Sequence, residues 1–152
     1  MGATYSAEFT TAGVNAVDGV LFNLKTVGTD RARILQIGFF IETAPTTPPI
    51  FGIKRMLAVG TGAITTAVTA LHSTADGVNS CLLETAWATT RPTVTGGSFT
   101  RGAVPAVIAN GIVYDFTLRP IVVPLTSGVC GVMRNATGAT LGVLGGWVTW
   151  EE

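Results

Sequence analysis

Charge is what this sequence has least of. Only 12% of its 152 residues are Asp, Glu, Lys or Arg, about half the roughly 25% share of an ordinary soluble domain. A chain that stays alone in water keeps its surface charged, so the shortfall points to surface covered by partners. Nine basic residues balance nine acidic ones, which leaves no whole-molecule field to draw in DNA, RNA or an anionic membrane. Lys25, Arg31 and Arg33 are close in sequence, as are Lys54 and Arg55. Neither group is interleaved with the aromatics on which a single-strand binder stacks bases, so both read as strand-end charges on a solvated face. No nucleic-acid partner is expected.

Histidine and cysteine are almost as scarce. The two cysteines, Cys81 and Cys130, are too few for a disulfide framework and lack metal-ligand spacing. Each sits in an apolar run, where a free Cys behaves as a small core hydrophobe. His72 is the only histidine, and its neighbours Ser73 and Asp76 are too close along one loop to adopt triad geometry. It reads as a surface loop histidine. Glu8, Glu42, Glu84 and Asp115 fall in expected strands, but their spacing singles out no pair for glycoside hydrolysis. Each is more simply the outward polar member of an alternating strand. Asp76-Gly77-Val78-Asn79 is an ordinary turn rather than a calcium loop. Gly96-Gly97 and Gly145-Gly146 lack the Lys and the strand-to-helix context of a phosphate loop and read as turns or bulges. No catalytic, metal-binding or cofactor-binding residue is expected.

Long apolar runs are missing too. Gly, Pro and Thr break every one well short of the roughly 18 residues of a membrane span, so no membrane partner is expected. The opening MGATYSAEF has no basic or apolar stretch, so no secretory leader is expected. Met1 to Ser6 fits an N-myristoylation pattern and Asn135-Ala136-Thr137 a glycosylation pattern. Both patterns are short enough to arise by chance and matter only in a eukaryotic host.

What is present is strand signal from end to end: apolar and polar residues alternate with period 2, bounded by Gly, Pro, Asn or Asp. Tyr5, Ala7 and Phe9 alternate with Ser6, Glu8 and Thr10. Val20, Phe22 and Leu24 share one face of Val20 to Thr26. In Arg31 to Glu42, the set Ala32, Ile34, Gln36, Gly38, Phe40 and Glu42 opposes Arg33, Leu35, Ile37, Phe39 and Ile41. Its middle is apolar on both faces, which suits the centre of a sandwich or a place under a neighbouring subunit. Ala44 to Pro49 carries three prolines and must be a loop.

Ile50 to Val59 resumes as a strand, and Gly60 to Asp76 reads as a long loop or short helical turn. Ser80 to Trp87 is a short strand, and Thr89 to Pro105 is a loop. Gly111 to Leu118 alternates well and continues into a Pro-bounded edge at Arg119 to Pro124. Gly128 to Arg134 and Thr140 to Glu152 read as a hairpin about Asn135 to Gly138. No fixed-period repeat argues for a propeller or solenoid. The expected fold is all-β: one domain over residues 1–152, a β-sandwich or jelly roll of about eight or nine antiparallel strands.

Four segments carry a resemblance. They are Ala3 to Phe9, Arg31 to Gly38, Leu118 to Pro124 and Gly146 to Glu152, and in pattern and order the chain resembles small structural proteins of tailed bacteriophages. These are β-sandwich or jelly-roll head decoration (cement) proteins and related accessory components. Gly60 to Pro105 departs most from the pattern, and such proteins vary and place partner contacts there. The resemblance implies a virion component made in the host cytoplasm and located on the capsid surface. It implies a homo-oligomer, a trimer in its expected form, whose other partner is the phage major capsid protein. It implies no catalysis. Trp87, Trp147 and Trp150 are the candidate interface residues, since tryptophan is enriched where interfaces concentrate their binding energy. Two other readings stand beside this one. The first is another virion role, in tail, baseplate, fibre or capsid. The second is a carbohydrate-binding β-sandwich, whose mark would be a flat aromatic platform with polar neighbours. Trp147 and Trp150, three apart, point to opposite faces of a regular strand and do not make one platform together.

Overall fold

A computed structural model describes residues 3–12, 19–66, 68–70, 79–125, 127–134 and 142–152. Among these residues there are thirteen strands and no helix. They are β1 (Thr4–Ala12), β2 (Gly19–Thr26), β3 (Arg33–Thr43), β4 (Ile50–Ala58), β5 (Thr61–Thr66), β6 (Thr69–Ala70) and β7 (Cys81–Thr90). Then follow β8 (Thr93–Val94), β9 (Thr100–Ala103), β10 (Gly111–Asp115), β11 (Ile121–Val122), β12 (Gly128–Arg134) and β13 (Val143–Glu151).

The strands form two antiparallel sheets. The first runs β10-β3-β13-β1-β6, with β11 also on β3; the second runs β5-β7-β2-β12-β4-β8, with β9 also on β4. The pairing is nested. β1 pairs with β13, β2 with β12, β3 with β10 and β4 with β9, so the chain behaves as one long hairpin rolled into two layers. That is the strand order of a jelly roll, the eight-stranded double Greek key. The remaining strands are additions between β4 and β9, except β11.

The core is where alternation on the two sheets meets. Phe9, Phe39 and Trp150 from the first sheet pack against Phe22, Phe51 and Met133 from the second in one buried cluster. Phe39 and Phe51 stack across the layers with centroids 4.8 Å apart, and Phe9 meets Phe22 at 4.9 Å. Tyr114 is buried at the edge of this cluster and donates its hydroxyl to the Phe51 carbonyl at 3.0 Å. Burying an aromatic side chain of this kind contributes about 2 to 3 kcal/mol, and the phenol avoids an unsatisfied donor.

Several expectations are corrected here. β12 and β13 are not a hairpin pair: β12 pairs with β2 and β4 in the second sheet, whereas β13 pairs with β1 and β3 in the first. The expected turn at Asn135 to Gly138 lies outside the described residues. Gly60 to Asp76 was expected to be loop or helical turn, yet its described part contains β5 and β6. The expected loop from Thr89 to Pro105 contains β8 and β9, and β7 runs on to Thr90. The strand expected to reach Leu118 ends at Asp115, whose carboxylate accepts from the backbone N–H and hydroxyl of Thr117 and turns the chain.

In β3 the ladder to β13 shifts between Thr149 and Trp150, so that Leu35 is an extra residue. Ile34 therefore lies inside with Ile37, Phe39 and Ile41, each at most 1% exposed, rather than on the face of Gln36, Gly38 and Phe40. A bulge of one residue changes the parity of everything beyond it. Gly145-Gly146 is neither turn nor bulge but the middle of β13, opposite Thr10 and Phe9 on one side and Phe40 and Phe39 on the other.

Candidate interaction surfaces

Among the described residues, three surfaces bear on the candidate tryptophans or on grouped apolar side chains. The first is the outer face of the sheet built on β3 and β13. Register places Glu8, Trp147, Gly38 and Val113 side by side across four strands. On one side of that row lie Ser6, Thr149, Gln36 and Asp115, and on the other Thr10, Gly145, Phe40 and Gly111.

Each aromatic of this face lies over a glycine of the neighbouring strand. A Cβ added at Gly38 would fall well under 3 Å from three consecutive carbons of the Trp147 benzo ring, so the indole rests face down on this glycine. A Cβ at Gly145 would likewise meet the far end of the Phe40 ring, and equally the Glu42 carboxylate. Glycine is required at both positions by this close approach. Trp147 is half-buried, and its indole N–H donates to Gln36 Oε1 at 3.1 Å. No ring or cation among the described residues lies over its other face. Around it, Glu8 and Glu42 are exposed, Thr10 donates to Glu42 at 3.0 Å, and Val113 is 51% exposed.

The outer face of the second sheet is different because the chain folds back over it. Val20, Met56, Cys130 and Val132 form a second apolar cluster roofed by Trp87 and Val94. Arg91 clamps the roof: its guanidinium lies 5.5 Å from the Trp87 ring centre and donates to the Val20 carbonyl at 2.6 Å. Trp87 Nε1 is buried without an acceptor among the described residues. Beside this cluster lies a buried polar network. Asn23, fully buried, donates to Glu84 Oε2 at 2.9 Å, and Lys25 donates to Glu84 Oε1 at 2.8 Å. Cys130 donates to Asn23 Oδ1 at 3.4 Å, and the buried Lys54 reaches the Gly96 carbonyl at 3.1 Å. Burial, reinforced by the Glu84 charge, pushes the Cys130 thiol far above its ordinary range. Burial followed by the nearby Glu152 charge does the same to Cys81. Neither thiol is a nucleophile in this state.

The third surface is a ribbon. β7 pairs with β2 only through Cys81 to Glu84, so its remaining half, Thr85 to Thr90, is held by β5 alone on the ladder side. Residues 56–66 and 85–90 contain no charged side chain. Leu57, Val59 and Ile64 are 70%, 57% and 58% exposed, and β5 is exposed over nearly its whole length at the edge of the sheet. A two-stranded ribbon with exposed apolar side chains is marginal alone in water, and Trp87 anchors this one to the molecule.

Of the three tryptophans expected at an interface, Trp150 is buried in the core at 0% exposure, stacked on Tyr5, and offers no surface. Trp87 roofs the second sheet, and Trp147 lies half-buried on the outer face of the first. Of the four carboxylates weighed as catalytic partners, Glu8, Glu42 and Asp115 share the outer face of the first sheet, whereas Glu84 is buried on the opposite side. His72, Ser73 and Asp76 lie outside the described residues, as does Asn135-Ala136-Thr137. Among the described residues no group of three His, Cys, Asp or Glu converges on one point.

Several basic side chains are engaged locally. Lys25 is bound by Glu84, and Arg33 lies 3.5 Å from Glu151. Arg55 stacks on the exposed Phe99 at 5.1 Å, the one place where a sequence-adjacent basic group does meet an aromatic. The cleft beside it, about 200 Å³ and lined by Arg55, Thr95, Gly97, Ser98 and Phe99, is smaller than the roughly 300–1,000 Å³ of a ligand pocket. Among the described residues no helix is long and apolar enough to cross a membrane. Phe40 and Gly38 are residues that sequence reasoning did not single out, and Gly145 it read as a turn or bulge; an aromatic facing a glycine across paired strands is their signal, and it needs the register. No protein-family model, curated protein or solved structure matches the chain.

Proposed function

We propose that this chain is a non-enzymatic structural protein of a tailed-bacteriophage virion, a head decoration (cement) protein. It associates with copies of itself, as a trimer, and with the major capsid protein on the capsid surface. The observation that carries this reading is the charge-free ribbon of β5 and the end of β7, with Ile64 turned to solvent on β5 and the exposed Leu57 and Val59 on the segment that leads from the end of β4 into it. Apolar side chains grouped at an open sheet edge are a liability unless a partner covers them.

The position of the ribbon adds support. The four segments that resemble phage virion proteins fall in β1, β3, β11 and β13, all in one sheet. The divergent stretch from Gly60 to Pro105 builds the ribbon and the roof on the other sheet, and only the two-residue β6 joins the first. A constant scaffold with a variable contact element is the division of labour expected of a cement protein. Binding buries the ribbon across capsid-subunit junctions and stabilises the bound shell by mass action, with no cofactor and no energy input. Tail, baseplate, fibre or capsid-subunit roles would use the same chemistry on a different partner.

The test is co-sedimentation of the purified chain with capsids assembled without it. Saturable binding, lost in Ile64→Lys and Leu57→Lys variants that keep the wild-type circular dichroism, is the expected result. A chain that stays in the supernatant with capsids but pellets with tails would move the assignment to a tail component. Indifference to both would refute the virion role.

A further inference from the structure

We propose that the outer face of the first sheet is a carbohydrate-binding site, with Trp147 as the platform on which one neutral sugar ring stacks. The inference is independent of the virion role, because the ribbon argued to meet the capsid lies at the edge of the other sheet.

The platform is built by the fold. One face of the indole lies on Gly38, and the hydrogen bond from its N–H to Gln36 Oε1 fixes the ring in plane. Among the described residues no ring or cation covers the other face, and the side chain is half-buried rather than buried. A π-face carries negative charge density, and the axial C–H bonds of a pyranose present the complementary positive edge over an area that matches an indole. Phe40, lying on Gly145 one row away, extends the floor without closing it into a pocket. An elongated glycan, with more than one ring in contact, fits such a floor better than a small ligand needing enclosure.

The rim supplies what hydroxyl groups need. Using Oε1 for the indole leaves the Gln36 amide hydrogens as donors. Glu8, directly opposite Trp147 on β1, and Glu42, two rows along, provide exposed carboxylate acceptors. Neighbouring strands are about 4.8 Å apart, so Glu8 lies at the reach of the hydroxyls of a ring stacked on Trp147, whereas the Glu42 carboxylate, over Gly145 beside Phe40, would meet a second ring. Six of the twelve residues in the three rows are polar or charged, and the centre of a protein interface is depleted of charge. The acidic rim also selects against anionic glycans. Glu8, Glu42, Asp115 and Glu151 lie on this sheet, and Arg33, beside Glu151, is the basic residue there. The ligand class is therefore a neutral polysaccharide of hexose or N-acetylhexosamine units.

The experiment is affinity electrophoresis of the full chain through gels holding, in turn, a β-glucan, a mannan, glycol chitin and dextran sulfate. The expected result is retardation by at least one neutral polymer and none by the sulfated one. Trp147→Ala should weaken the retardation at least tenfold, Trp147→Phe should keep part of it, and Gln36→Ala and Glu8→Gln should each weaken it several-fold. Trp87→Ala should leave it unchanged. Near-ultraviolet circular dichroism checks that each variant is folded. Absence of retardation by every neutral polymer overturns the proposal, and so does retardation that Trp147→Ala leaves intact. So does a Trp147→Ala protein that loses self-association or capsid binding while the wild type binds no glycan, since that makes the face a protein interface.

Discussion

Replacing Glu84 by alanine should cost about 3 kcal/mol of stability, although the residue touches nothing that the function uses. The carboxylate is 4% exposed and holds two donors, the Asn23 amide at 2.9 Å and the Lys25 ammonium at 2.8 Å. Without it the fully buried Asn23 amide keeps only the Met56 sulfur at 3.4 Å, and an unsatisfied buried donor costs about 1–3 kcal/mol. The one lost methylene adds about 0.8 kcal/mol when fully buried. Lys25 adds little, because its side chain is 27% exposed and turns to water, where such a pair is worth about 0–1 kcal/mol. Glu84→Gln keeps the shape but offers one acceptor to two donors, and should cost about 1–2 kcal/mol by the same reasoning. Urea unfolding followed by fluorescence measures both, and a loss of about 3 kcal/mol corresponds to roughly 6–12 °C in Tm for a chain of this size. The double variant Asn23→Ala/Glu84→Ala should recover at least about 1 kcal/mol against the sum of the singles. A Glu84→Ala protein within about 0.5 kcal/mol of wild type, the range of an ordinary surface change, would refute the reasoning. So would strict additivity with Asn23→Ala.

The remaining predictions concern the tryptophans, the thiols and the tyrosine. Trp150→Ala should cost about 3–5 kcal/mol as a core truncation, whereas Trp147→Ala, on the outer face, should cost about 1 kcal/mol or less, the burial term for half an exposed side chain; thermal unfolding separates the two. Cys81 and Cys130, buried and with thiols raised far above neutrality, should not react with a thiol reagent at pH 8 until urea unfolds the chain. Burial also raises the Tyr114 hydroxyl above its ordinary value of about 10. The folded chain holds that proton more tightly than the unfolded one, so stability should fall as pH climbs past 10, and a Tyr114→Phe variant should lack this component.

The layers of the fold were legible because alternation reports which side of a strand is buried. It does not report which strand lies beside which. Gly128 to Arg134 and Thr140 to Glu152 look like a hairpin because near neighbours usually pair, but a rolled hairpin sends each consecutive segment across to the opposite layer. β5 was hidden by its own irregularity: Gly62 at φ 69° and two register shifts against β7 erase the alternation. The outward direction of Trp147 and the inward one of Trp150 follow from a spacing of three, so one interface candidate could have been set aside from sequence. The platform could not. It depends on Gly38 and Gly145 facing Trp147 and Phe40 across strands more than a hundred residues apart in sequence, and a glycine pair that reads as a turn by composition is the clearance on which both faces of β13 pack.

The most direct test of the central claim, that this chain works by assembly with protein partners, is its mass in solution by sedimentation equilibrium at micromolar concentration and physiological salt. The account predicts a discrete oligomer, a trimer of the 15.7 kDa chain, that Ile64→Lys and Leu57→Lys dissociate. A stable, monodisperse monomer over the same concentration range, unchanged by either substitution, would contradict it.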